Sequence, residues 1–177
     1  MELMNSTLSI KEQISQGVID FMLEPYFPEC RYLKEASIEY DQGDSRYNNH
    51  PLIRGRFEIP SCFYGNGPGH FNATEFLICF NQMAYVLLAD GIEKKLLPEL
   101  KMNSMEDFKK IQLESSYIAR IKDIVFRKAI DPKTFSGYLN IDGVKSMGKN
   151  TFYSMSISFK DNEDGNARGS FLIAIVQ

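Results

Sequence analysis

Two histidines, three cysteines and a small set of uncharged polar side chains carry whatever chemistry this chain performs. His70 and Cys79 fall with the polar groups of most interest in one stretch, FYGNGPGHFNATEFLICFNQMAYVLLA, residues 63–89. Tyr64, His70, Asn72, Glu75, Asn81 and Gln82 are its polar groups, and Tyr32 is a further contributor from earlier in the chain. Tyrosine and asparagine cannot serve as strong bases at neutral pH, because the amide does not titrate and the phenol ionises near ~10. They can donate hydrogen bonds to a carbonyl as charge develops on it, and they can orient a nucleophile. His70 and Glu75 are the residues able to move a proton. Such a set suits an already activated acyl group better than an amide.

Each residue also has a structural alternative. Asn72 followed three positions later by Glu75 has the pattern of a helix capping box, which by itself explains both. Tyr64 could be a packed loop tyrosine and His70 a solvated loop residue. Asn81 and Gln82 fall in an otherwise apolar helix, where an unpartnered amide costs roughly 1–3 kcal/mol. At least one of them is expected to face a substrate cavity, and Gly69 and Phe71, which flank His70, are expected to line the substrate with Gln82.

Several familiar sites are excluded. The glycine loop is not followed by Gly-Lys-Ser/Thr, so it is no phosphate-binding P-loop. The third glycine of a dinucleotide fingerprint is replaced by His70, and no βαβ unit follows. There is no G-x-S-x-G elbow. Neither His50 nor His70 falls in a zinc-like sequence cluster with cysteine, so no metal and no bound cofactor are expected.

The elements that position these groups follow from periodicity. Gly65, Gly67 and Gly69 around Pro68 forbid regular structure, and Asn72 then opens a helix of about five turns, 72–89, apolar nearly all round and therefore expected to be buried. Residues 8–23 show helical spacing after candidate caps Ser6, Thr7 and Ser9, with Pro25 and Pro28 ending an N-terminal helical flank over 1–25. Residues 36–41 and 53–59 alternate as strands, separated by a polar turn-forming segment, 41–51. Gly91 and Pro98 bracket a break, and 104–117 reads as a short amphipathic helix. Residues 118–130 are strand-like but out of strict alternation, which predicts a bulge. Residues 135–141 and 153–159 alternate cleanly. DNEDG, 161–165, is a turn, and 171–176 reads as a central strand buried on both faces.

Strands joined by short turns pair antiparallel, and a sheet of about six strands must cover its apolar face with the one sufficiently apolar helix. The fold is therefore α+β, a curved antiparallel sheet wrapped around a long central helix as in the hotdog fold, in a single domain over 1–177. Its free edge makes a homodimer with a continuous sheet, or a higher homo-oligomer, plausible.

Composition agrees with one globular domain: 177 residues, 44% hydrophobic, 24% charged, net charge −3. The scattered Lys and Arg offer no nucleic-acid footprint. Cys30, Cys62 and Cys79 have no close pairing and read as reduced thiols. The N-terminus lacks a basic region and an apolar run, and the apolar run 83–89 is short of the ~20 residues a membrane span needs. A cytoplasmic protein without a membrane span is expected.

The run FYGNGPGHFNATEFLICFNQMAYVLLAD resembles the FcoT-like (type III fatty-acyl-CoA) thioesterases, a branch of the hotdog superfamily. The resemblance implies hydrolysis of a fatty-acyl thioester carried by coenzyme A or an acyl carrier protein. It implies roles for Tyr64, Asn72 and Asn81, with Tyr32 matching a further tyrosine on an early strand. GHF before a helix with a Met-Ala pair also resembles the β-hydroxyacyl thioester dehydratases, in which a loop histidine works with a helix carboxylate. His70 matches that histidine, but Asn81 or Gln82 stands where the carboxylate is expected. This leaves open conjugate addition of glycine to a 2-enoyl thioester on a carrier protein, a step associated with some FcoT-like proteins of isonitrile lipopeptide pathways. A third alternative is a non-catalytic acyl-binding protein.

Overall fold

In the computed structural model one antiparallel sheet wraps around one helix; residues 8–42, 50–62, 64–65 and 68–177 are described. The strands are β1 (Leu8–Gln13), β2 (Leu33–Gln42), β3 (Leu52–Phe57), β4 (Ser116–Lys128), β5 (Phe135–Met147), β6 (Asn150–Lys160) and β7 (Asn166–Val176). The helices are α1 (Gln16–Leu23), α2 (Ala73–Glu93) and α3 (Met105–Ile111), with a single 3-10 turn at Pro28–Cys30. The sheet order is β1-β2-β3-β5-β6-β7-β4, every neighbouring pair antiparallel. The α+β hotdog architecture is as the sequence predicts, with seven strands where about six are expected.

The differences have local causes. The expected helix over 8–23 is split, because Ile10, Glu12 and Ile14 turn inward while Ser9, Lys11 and Gln13 turn out, and β2 offers an open edge to pair with. Ser15 caps what remains: its hydroxyl accepts from Val18 N at 3.4 Å. Gly91 does not break α2 but lies inside it, since a Cβ there would come within 2.8 Å of Leu97 Cδ1. The second helix stops at Ile111, and the remainder of the expected segment is loop and β4. The irregularity expected in β4 is present as register shifts at three places. β7 lies between β6 and β4, with Ile173, Ala174 and Ile175 all buried. Candidate caps Ser6 and Thr7, Gly67 and residues 43–49 of the polar turn lie outside the described residues.

α2 is the axis of the core. Phe76, Cys79, Phe80, Met83, Val86 and Leu87 are fully buried against the sheet, with Phe80 stacked on Phe171 of β7 at 4.0 Å between ring centroids. By length and composition α2 could cross a membrane, but 83% of its apolar window is buried inside the protein. The same helix fixes the segment that carries Tyr32. Gln82, fully buried, accepts from Tyr32 N at 3.0 Å and Leu33 N at 2.9 Å, and donates to Cys30 O at 2.6 Å. The substrate-facing role expected of Gln82 is thus corrected: its amide satisfies three backbone groups that enter β2.

Replacing Gln82 by leucine, of similar volume, leaves two N–H groups and one carbonyl buried without partners. At ~1–3 kcal/mol each, the expected loss is about 3 kcal/mol or more. Urea unfolding of Gln82→Leu checks it; a loss under ~1 kcal/mol would mean the clamp is dispensable.

Candidate active site

The site is built at the N-terminus of α2. Asn72 caps the helix: its Oδ1 accepts from Thr74 N at 2.8 Å, and Glu75 Oε2 accepts from Asn72 N at 3.2 Å, completing the capping box. The box orients more than the helix. Because Oδ1 is committed to Thr74, Nδ2 must point the other way, and it lies 3.1 Å from Tyr64 Oη and 2.7 Å from His70 Nε2. Glu75, fully buried, accepts from Tyr64 Oη with its other oxygen at 2.5 Å. Tyr64 Oη also lies 2.8 Å from His70 Nε2.

These contacts select a protonation pattern. Tyr64 donates its hydroxyl hydrogen bond to Glu75, and the two N–H groups of Asn72 serve Tyr64 Oη and His70 Nε2. Nε2 is then an acceptor, so Nδ1 carries the hydrogen. Nδ1 faces the Cys62 sulfur at 2.9 Å. The imidazole is thus held with its basic nitrogen beside the Asn72 donor and the Tyr64 hydroxyl oxygen, half-exposed to solvent.

The loop that presents His70 is held on both sides. Gly69 passes so close to the preceding strand exit that a Cβ would lie 1.8 Å from Ile59 O, and its N–H donates to Pro60 O at 3.2 Å. Phe71 is inserted among Phe135, Phe159 and Phe126, with ring centroids 5.0, 5.2 and 6.1 Å away. The structure therefore places Gly69 and Phe71, like Gln82, in anchoring positions rather than substrate-lining ones. A bridge between Ser61 and Pro68 closes the loop and sets Cys62 alongside His70.

Tyr64, His70, Asn72 and Glu75 are thus brought together, and Tyr32 lies beneath them. The Tyr32 ring is fully buried, its hydroxyl has no oxygen or nitrogen partner, and Cys30, Glu75, Cys79 and Cys62 are its electrostatic neighbours. Burial first, then those neighbours, pushes its phenol well above the ordinary range. Asn81 does not join the group. It is roughly 13 Å further along α2 at about 1.5 Å per residue. There it lines a cavity of about 10 Å³ with Tyr85, Ser116, Tyr117 and Ile173, room for one water-sized probe rather than a substrate.

Cys62 is the residue that sequence reasoning missed. It stands outside any metal-like spacing, and only the Gly/Pro-rich loop between it and His70 hinted that the chain doubles back. The expectation that neither histidine falls in a zinc-like cluster with cysteine is corrected for His70. Cys62, His70 and Glu75 offer ligand atoms within 4.8 Å of one another, a donor set of the kind zinc accepts. Both Glu75 oxygens already accept hydrogen bonds, and His70 Nε2 is engaged by Tyr64 and Asn72, so an ion would have to displace this network.

The FcoT-like thioesterase domain family matches residues 21–175. The chain belongs to that family. Across 91% of its length it is 33% identical to a (2E)-enoyl-[ACP] glycyltransferase of Mycobacterium marinum, covering 86% of that protein. It is 31% identical over 91% of its length to a protein of the same name from Streptomyces coeruleorubidus, covering 96% of it. Among solved structures, the CurJ dehydratase of the curacin polyketide synthase superposes over 94% of the chain at TM-score 0.56 and 12% identity, which supports the hotdog fold; the chain spans 49% of that structure's length.

Burial, the hydrogen bond to Glu75 and its charge together raise the Tyr64 phenol to about 12, with Asn72 pulling the other way. The phenol stays protonated throughout the neutral range. Its contribution to folding is fully present below the ordinary phenol range near ~10 and is lost as pH rises through the raised value. The difference in alkaline ultraviolet titration between wild type and Tyr64→Phe is expected to place this ionisation near 12. Glu75→Gln, which keeps the cap but removes the charge, is expected to lower it. An unchanged titration in Glu75→Gln would separate Tyr64 from Glu75.

Proposed function

We propose that this FcoT-like domain adds glycine, or a similar small amine, to C3 of a 2-enoyl thioester borne on an acyl carrier protein. The names of relatives at 31–33% identity over nine-tenths of the chain support that reading. The observation that carries it in this chain is the His70 imidazole, held with its basic Nε2 beside the Tyr64 hydroxyl and the Asn72 amide at a helix N-terminus. The thioester carbonyl displaces Tyr64 Oη as acceptor from Asn72 Nδ2, which polarises it, and the α2 N-terminus adds positive potential where the enolate forms. His70 takes the proton that the amine gives up as the N–C3 bond forms, and returns one to C2. The C2=C3 π bond is consumed, and the thioester remains intact.

Hydrolysis is the second reading, favoured by the family description. The same donors would hold the tetrahedral oxyanion while His70 activates water. The two reactions separate on one substrate: 2-enoyl-carrier protein with and without glycine. A glycine-dependent mass gain without free thiol is expected. Thiol release independent of glycine would favour hydrolysis, and binding without turnover a non-catalytic acyl-binding role.

The reaction is proposed to need no metal, because the candidate ligand atoms already hold one another. Treatment with a chelator is expected to leave the rate within about twofold, and a large loss restored by zinc would overturn this. All three cysteines are free and buried, which fits a reducing, cytoplasmic setting.

The working unit is proposed to be a homodimer pairing β4 edges. β4 ends the sheet and exposes Tyr117, Ile121 and Phe126, while Leu77, Ile78, Asn81 and Tyr85 leave a half-buried apolar stripe on α2 beside it. Pairing there would cover the stripe and turn Asn81 toward the second copy. Asn81 then completes the partner's site. Tyr64→Phe and Asn81→Ala, each impaired about 10²-fold, are expected to recover up to about a quarter of wild-type activity when mixed and re-equilibrated. No recovery between two folded, exchanging dimers would place Asn81 outside the site.

A further inference from the structure

Cys62 has no part in the mechanism above, yet it lies against the group at its centre. Its Sγ is 2.9 Å from His70 Nδ1, and its weaker contact, at 3.9 Å, is to Pro68 O. The imidazole places an N–H against the sulfur, and a thiol, an imidazole and a carboxylate in sequence are the parts an activated cysteine needs. Glu75 supplies the carboxylate, 3.9 Å from His70 Nε2. The Tyr32 hydroxyl, fully buried and without an oxygen or nitrogen partner, has the Cys30 thiol beside it and Cys62 and Glu75 among its electrostatic neighbours.

The other cysteines provide the contrast. Burial and the Glu75 charge push the Cys79 thiol well up, and burial and Glu29 raise Cys30. Neither has a histidine beside it among the hydrogen-bonding contacts of the described residues, and Cys79, on α2, is also fully buried.

We propose that Cys62 is a second reactive centre, a thiol activated by His70 that 2-enoyl thioesters alkylate at C3 when no amine is present. The inference rests on the acyl-thioester reading of the site. The thiol proton passes through solvent to His70 Nε2, where it takes the place of the hydrogen bond that Asn72 Nδ2 gives in the resting site, while Nδ1–H stays on the sulfur. Sulfur bonds to C3 as the C2=C3 π pair moves toward the carbonyl, and the imidazolium returns the proton to C2. No bond to the carrier breaks, so the protein gains the mass of the whole thioester. The adduct fills the site and blocks turnover, which makes enoyl substrate without amine a self-limiting condition.

The test uses the full chain with two probes, crotonyl-pantetheine without glycine and iodoacetamide, each followed by peptide mapping. Both are expected to label Cys62 at least tenfold faster than Cys30 or Cys79, and His70→Ala to slow labelling at Cys62 by tenfold or more. Cys62→Ser, with its folding checked by thermal melt, is expected to abolish the crotonyl adduct. Labelling spread evenly over the three cysteines, or indifferent to His70, overturns the proposal. So does turnover of the enoyl thioester with glycine while crotonyl-pantetheine leaves Cys62 untouched. An adduct at Cys62 from an enzyme that never turns over enoyl thioesters upholds the reactive thiol and sinks the functional reading instead.

Discussion

A buried carboxylate, Glu75, holds the site together. One oxygen closes the capping box by accepting from Asn72 N, and the other accepts the Tyr64 hydroxyl. A carboxylate without exposure is tolerable only when its lone pairs are satisfied. Here the two partners that satisfy it are the start of the core helix and a loop tyrosine. The helix therefore cannot begin in its observed register without drawing Tyr64 to its N-terminus. Once Asn72 has committed Oδ1 to Thr74, its Nδ2 is aimed at Tyr64 and His70, and the imidazole tautomer follows.

This arrangement connects packing to chemistry without a dedicated catalytic scaffold. α2 is held by its aromatic contacts to β7 and by burial on nearly every side. Gln82, on the next turns, fixes the backbone that carries Tyr32. Phe71 and Gly69 pin the loop on either side of His70, one by filling a gap between phenylalanine rings and the other by having no side chain where Ile59 O passes. Several residues that look functional in the sequence are thus the reason that the functional ones stay in place.

Much of this was legible before any coordinates. The capping box at Asn72 and Glu75, the apolar helix behind it and the alternation of β3, β5 and β6 depend on local spacing, and the structure shows them. The polar set around the loop was readable as a set. What could not be read was which amide faced inward to what. Gln82 and Asn81 are adjacent in sequence but about 100° apart around the helix axis, so one meets the β2 backbone and the other the β4 edge. Likewise β1 depends on an open neighbour rather than on its own periodicity, and Cys62 meets His70 only because the loop between them closes on itself.

The claim on which the rest depends is that the helix cap sets the imidazole of His70, with Nε2 as the acceptor facing the substrate and Nδ1–H on Cys62. With only two histidines in the chain, nitrogen NMR of protein labelled at histidine, assigned against His50→Gln, reads this directly. The account requires a neutral His70 whose Nε2 is unprotonated and whose Nδ1 carries the hydrogen, with that preference weakened when Asn72 is replaced by aspartate, which keeps the cap but loses the donor. A His70 protonated at Nε2 in the wild-type protein would contradict it.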